Sequence, residues 1–352
     1  MNQYFEKLNP IVKEYFNILS PDGIPEFICE YIDTDEMKRI GKIGTACGTN
    51  YTNIYNHKFW YTNLDHSIGV ALIVWNFTKD KKQTLAGLFH DIATPTFKHC
   101  IDFMNGDHEK QESTEMLTSD IIKNSKEIMN LLKRDNIKLE EVEDYHKYPI
   151  ADNDTPQLSA DRLEYTFSNG LYFDSFDILN LDLIKEIYND IEILIDESNE
   201  KELGFRNVEV AEKFVDKASK LWPCWRETRN SLVMQFLADV VRKSFELGEI
   251  TKKDLYTLSE KEVIEKIENS KDKNISNSFR KFRETDKVYA SDEFVYNKYC
   301  IEIKNKVRYI IPLVRNMDDN IRINKISSKT NDIITNYLNY KPKKYGYLEF
   351  EL

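Results

Sequence analysis

Apolar side chains recur at helical spacing through most of the first 270 residues. Between positions 64 and 78, Leu64, Ile68, Leu72 and Trp75 share one stripe, with His66, Val70 and Ile73 beside it, which predicts a helix. Residues 81–92 repeat the pattern through Leu85, Leu88, Phe89 and Ile92, and Pro95 sets the stop. A long amphipathic helix is expected over 112–133, carried by Met116, Leu117, Ile121, Ile128 and Leu132. Residues 157–168 predict another, which Asn169-Gly170 closes as a C-cap. The helical spacing continues over 179–196, 208–221, 226–247 and 260–270.

After about position 286 the texture changes. KVYAS, YCIEIKN and VRYIIPLV are short, β-branched and aromatic, the signature of strands, and 327–338 predicts one further helix. The expected organisation is therefore a helical domain over 1–280 and a small α+β subdomain over 281–352. Composition agrees with long helices. Eleven glycines and nine prolines in 352 residues are about half the usual share, too few for a sandwich built on many tight turns.

The net charge of −11 disfavours nucleic acid and anionic membrane as partners, although a local basic pocket can still hold phosphate. Five scattered cysteines, never spaced as CxxC, read as reduced thiols. The first residues lack a signal peptide's apolar core, and no apolar run approaches the roughly 18 residues of a membrane span. A cytoplasmic location is the expectation.

Four of the six histidines, His66, His90, His99 and His108, fall in one stretch. His90 is followed by Asp91, and Asp161 lies on a later helical segment. Two imidazoles and two carboxylates from three helices suit one divalent cation inside a bundle, since unpartnered they would be costly to bury. A mixed nitrogen and oxygen set accepts Mn, Fe, Ni, Co, Zn or, less comfortably, Mg. His57 and His146 belong to no such pattern and read as structural.

The order His66, His90-Asp91, Asp161 resembles the HD superfamily of metal-dependent phosphohydrolases. More narrowly it resembles the dGTPase-like deoxynucleoside triphosphate triphosphohydrolases. RIGKIGTACGTNYTNIYNHKFWYTNLDHSIGVA is similar to that family's approach to its first histidine, and LAGLFHDIATPTFKHCIDF to its HD helix and following turn. DHEKQ, SADRLEY and TRNSL resemble its His-Glu step, last aspartate helix and phosphate-contacting arginine.

The resemblance implies a mainly α HD-domain bundle with His66, His90, Asp91 and Asp161 as metal ligands. His99, Asp102 and His108 would form the catalytic cluster, with Glu109 orienting His108. Arg162 and Arg229 would contact phosphate, and Tyr165 and Asn169 would read the sugar. Hydrolysis of a (deoxy)nucleoside triphosphate to nucleoside and tripolyphosphate, and homo-oligomerisation, are likewise implied. Plainer readings stand beside these: helix caps or surface groups for His99, His108, Asp102, Glu109 and Asn169, core for Tyr165, and ion pairing for Arg162 and Arg229.

Three substrate positions depart from the family. Thr94 stands where a further histidine is usual, Asn63 where an arginine precedes the first histidine, and Asn169 where an aspartate reads the sugar. These changes leave open a phosphodiesterase or nucleotidase acting on another nucleotide. They also leave open a nucleotide-sensing protein that has lost turnover.

Overall fold

The computed structural model describes residues 3–107, 117–173, 178–304, 306–317 and 319–352. His108 and Glu109 lie outside the described residues. At the centre stand the helices Asn63–Thr78 and Lys81–Phe89, joined by Lys79 in a left-handed turn (φ 51°). The first is buried from Asn63 through Val74, so its apolar stripe is one face of a helix surrounded on every side. Thr62 and Asp65 close a capping box at its start, and Asp80 caps its partner.

The helix Ala160–Tyr172 crosses this pair, capped by Ser159 Oγ accepting from Arg162 N. It runs through Asn169-Gly170 and does not end there, which corrects the expected C-cap. Gly170 serves packing: a Cβ on it would lie 2.5 Å from Leu179 Cδ1. The expected helix over 179–196 is also shorter. It spans Leu181–Asn189, and the β-branched IEILI that follows forms strand β1 (Ile191–Ile195), where tertiary pairing overrides an ambiguous apolar run. Within the described part of 112–133, the chain breaks at Ser125, whose hydroxyl caps the second of two helices, Thr118–Asn124 and Lys126–Arg134.

Strand β1 pairs with β2 (Lys201–Phe205). The later strands are β3 (Tyr289–Ser291), β4 (Tyr299–Glu302), β5 (Leu313–Val314), β6 (Ile321–Arg322) and β7 (Tyr345–Leu348). One sheet runs β1-β2-β5-β6 and the other β3-β7-β4, so residues 281–352 supply strands to both. Arg322 anchors the first sheet through a buried bidentate pair with Glu202 (2.7 and 2.8 Å), and Glu202 also accepts from Leu158 N. That pair fixes the sheet to the entry of the Ala160–Tyr172 helix. No helix among the described residues is long and apolar enough to cross a membrane.

Two apolar cores result. One holds Leu64, Ile68, Leu88, Phe89, Leu163 and Phe167; the other holds Phe97, Cys100, Ile101, Phe103, Leu232 and Phe282. The carboxyl of Glu260 sits under the second, accepting from Gly44 N (3.2 Å) and the Tyr51 hydroxyl (2.8 Å). Burial nevertheless pushes its pKa up from 4.5 to about 7. The folded protein therefore keeps a proton that the unfolded chain releases. This stabilisation is complete below pH 4.5 and is lost as pH rises to about 7. Glu260→Gln is expected to flatten the melting-temperature curve across that interval; an identical slope in the variant overturns the assignment.

Candidate metal centre

His66 projects from the Asn63–Thr78 helix, and its Nδ1 meets the carboxylate of Glu164. Glu164 is fully buried and also accepts from the hydroxyls of Tyr61 (2.6 Å) and Tyr15 (3.3 Å). The approach needs Gly69, since a Cβ there would lie 2.7 Å from Glu164 Cγ. His90 ends the Lys81–Phe89 helix, and its Nδ1 donates to Gly87 O at 2.7 Å. With both Nδ1 atoms committed as donors, both Nε2 atoms present lone pairs. These face one another at 3.2 Å, and Asp161 Oδ1 lies 3.1 and 3.8 Å from them.

Three electron-rich atoms at such separations repel unless a positive charge lies among them. A proton on His66 supplies one: burial opposes it, but Glu164 and Asp161 win and hold the His66 pKa up at about 10. A divalent ion supplies another. Donors bonded at about 2.1 Å to one ion stand about 3.0 Å apart in an octahedron and about 3.4 Å in a tetrahedron. The donor atoms of His66, His90 and Asp161, all within 4.8 Å of one another, fit that spacing. Asp91 Oδ2 is next, 3.6 Å from His90 Nε2 and 3.9 Å from His66 Nε2.

Asp91 also receives a cation absent from the sequence reading. Lys98 Nζ lies 2.7 Å from its Oδ2. Burial disfavours the Asp91 carboxylate, yet Lys98 and the two imidazoles hold its pKa well below the usual range. Asp161 is held low in the same sense, against burial, chiefly by its hydrogen bond with His66.

A cavity of about 820 Å³ opens from these groups. His99, at the start of the helix His99–Met104, lines it, and its Nδ1 meets Asp102 Oδ2 at 2.9 Å. Asp102 is wholly buried behind the imidazole, so it positions His99 and does not itself border the cavity. Burial pulls the His99 pKa down, against the pull of Asp102. An imidazole held neutral and oriented by a carboxylate is equipped to move a proton.

Asp161, Tyr165 and Asn169 share the cavity face of their helix, as helical spacing requires. Arg162 lines the cavity too, but its guanidinium is tied to Asn153, Ser159 and Asp152. Arg229 is held elsewhere: it pairs with Glu227 (2.7 Å), lies over the Tyr55 ring and borders a neighbouring groove. The next residue, Asn230, faces the cavity instead. Thr94 and Asn63 are buried and do not border the cavity. Arg39 holds the Thr94 carbonyl, and Asn63 Oδ1 accepts from Lys98 Nζ at 3.3 Å.

Several groups escaped the sequence reading. Glu164 follows Asp161 by three, the spacing that shares a helix face, so SADRLEY contained the signal. His146 lines the cavity beside Asp152 (3.5 Å), although it read as structural. Lys306 and Arg308 reach the cavity from the distant C-terminal segment, which no local pattern could indicate. Glu164→Gln is expected to weaken binding of a divalent ion by about 10–100-fold, because the amide no longer fixes the His66 ring by charge. Titration of metal-stripped protein with Mn²⁺ checks this, and unchanged affinity would assign the ring's orientation to the helix alone.

No known family model matches the chain. It is 27% identical over 146 residues to the uncharacterised protein YdhJ of Bacillus subtilis, covering 41% of this chain and 42% of that one. It is 24% identical over 146 residues to the metal-dependent phosphohydrolase cns2 of Cordyceps militaris, covering 42% and 41%. The chain thus spans about two-fifths of the length of these curated relatives. Among solved structures, a hypothetical protein from Aquifex aeolicus superposes with a TM-score of 0.63 at 16% identity, over 93% of both chains. A phosphohydrolase from Bacteroides thetaiotaomicron superposes with a TM-score of 0.62 at 14% identity, over 94% of this chain and 97% of that one. The fold is accordingly mainly α and HD-like, with a small α+β part.

Proposed function

We propose that this protein is a metal-dependent phosphohydrolase acting on nucleotides. The observation that carries the reading is the convergence of His66 Nε2, His90 Nε2 and Asp161 Oδ1, with the Nδ1 sides of both imidazoles already committed. The metal-dependent phosphohydrolase cns2 and the structurally similar phosphohydrolase from Bacteroides thetaiotaomicron support it. A divalent ion held by His66, His90, Asp91 and Asp161 would polarise a phosphoryl oxygen and acidify a water. His99, fixed by Asp102, hands a proton to the departing oxygen or takes one from the attacking water. Tyr165 and Asn169, on the same helix face as Asp161, line the cavity where the nucleoside rests.

The resemblance carries this further, to attack at the α-phosphorus of a (deoxy)nucleoside triphosphate with release of tripolyphosphate. Charge favours a second reading. Among the described lining residues, Asp91, Asp152, Asp154 and Asp161 are matched by Lys98, Arg162, Lys306 and Arg308. A divalent ion in place of the His66 proton, with the Glu164 carboxylate behind that ring, then leaves a surplus of about one positive charge, which lies closer to a phosphate monoester of nearly −2 than to a triphosphate of about −4. Arg229, engaged outside the cavity, does not alter this balance.

One screen separates the readings. Protein loaded in turn with Mn²⁺, Fe²⁺, Ni²⁺, Co²⁺, Zn²⁺ or Mg²⁺ is incubated with nucleoside mono-, di- and triphosphates, and products are resolved by chromatography. Tripolyphosphate supports the triphosphate reading, and orthophosphate from a monophosphate the second. A nucleotide-dependent melting shift with no product from any metal overturns both in favour of a sensor.

A further inference from the structure

Lys98 occupies a backbone conformation that its side chain does not favour. Its φ and ψ are 47° and −121°, and Phe97 before it has φ 67°, two successive non-glycine residues in a region that suits glycine. The turn is bolted in place from the second core: Thr96 N donates to Leu255 O (2.8 Å), Thr96 Oγ1 donates to Leu258 O (3.0 Å), and Phe97 is fully buried. Such geometry persists where the surroundings over-determine it, and it gathers at functional sites. Its effect here is to aim one ammonium at one place. Nζ lies 2.7 Å from Asp91 Oδ2 and 3.3 Å from Asn63 Oδ1, with the side chain 13% exposed.

The oxygen that Lys98 holds is the Asp91 oxygen facing the two imidazoles. A metal ion and an ammonium both seek it. We propose that Lys98 is the built-in counter-ion of the metal-free centre, that metal loading displaces it from Asp91, and that it then binds a phosphoryl oxygen of the substrate. The inference rests on the metal-dependent reading above. Lys98 lines the cavity, and a flexible four-carbon stem with a compact charge suits movement between two partners better than a guanidinium fork would. The strained turn fixes the base of the side chain, so only the tip travels. Asn63 has a part in this: its amide oxygen offers the ammonium a neutral seat beside Asp91, which a basic residue at position 63 would deny it.

The test uses the metal-stripped full chain, titrated calorimetrically with Mn²⁺, in the wild type and in Lys98→Met and Lys98→Gly. The glycine variant keeps the turn's conformation available if methionine disturbs it. Removing the competitor should tighten Mn²⁺ binding by about tenfold in each variant. Inorganic phosphate should bind the Mn²⁺-loaded variants about tenfold more weakly than the loaded wild type. In the wild type, acetylation of Lys98 read by mass spectrometry should rise on Mn²⁺ loading and fall again when phosphate is added. Equal Mn²⁺ affinity in both variants, undiminished phosphate binding, or an acetylation yield indifferent to metal overturns the proposal. A wild type that binds no divalent ion fails the metal-dependent reading itself.

Discussion

If the proposed function holds, Asp161→Ala is expected to strip the proposed centre of its ion and to lower phosphohydrolase turnover by about 10³-fold or more. Asp161 Oδ1 is the carboxylate oxygen nearest His66 Nε2, at 3.1 Å. Without it, Asp91 is the remaining acidic donor of the proposed set, and Lys98 already claims that oxygen. The fold should survive, since the Asp161 side chain is one-fifth exposed and the helix is capped independently by Ser159. Elemental analysis of the purified variant, beside its melting curve and rate, checks the expectation. A folded variant with full metal content and wild-type rate would remove Asp161 from the ligand set.

The second large effect belongs to His99. His99→Ala should retain the ion and lose about 10²–10⁴-fold in rate, the range typical of a removed proton carrier. Asp102→Asn should act more gently and through the pH profile, because Asp102 meets His99 Nδ1 and is not among the described residues that line the cavity. The carboxylate raises the His99 pKa against burial. Its loss should therefore move the imidazole's limb of the rate profile to lower pH. Metal content and the rate–pH curve of both variants decide the matter. An unshifted limb in Asp102→Asn would leave the pair a structural contact only.

Much of this is legible in the sequence. The helices around His66, His90-Asp91 and Asp161 follow from periodicity, and His66, His90 and Asp161 do come together. What escaped had physical reasons. IEILI is apolar and β-branched over five residues, too short for period to separate strand from helix, and pairing with β2 decides it. Asn169-Gly170 has a helix terminus's composition, yet Leu179 packs where a side chain at 170 would stand. Lys98 looks like one more surface lysine until the left-handed turn before His99 folds it inward. Arg229 and Asn230 are neighbours with opposite surroundings, a distinction that sequence order alone cannot draw.

The proposed ion-binding donors and the proposed proton-carrying imidazole are rooted in different apolar bodies. His66, His90 and Asp161 ride on helices packed with Leu64, Phe89 and Leu163, whereas His99 rides with Phe97, Ile101 and Phe103. The distance from the His66, His90 and Asp161 donors to the His99 imidazole is thus set by how the two bodies register against each other. A truncation deep in the second body, such as Phe279→Ala, would slow proton transfer while the ion stayed bound, so chemistry and metal retention can drift apart without either set of side chains being altered.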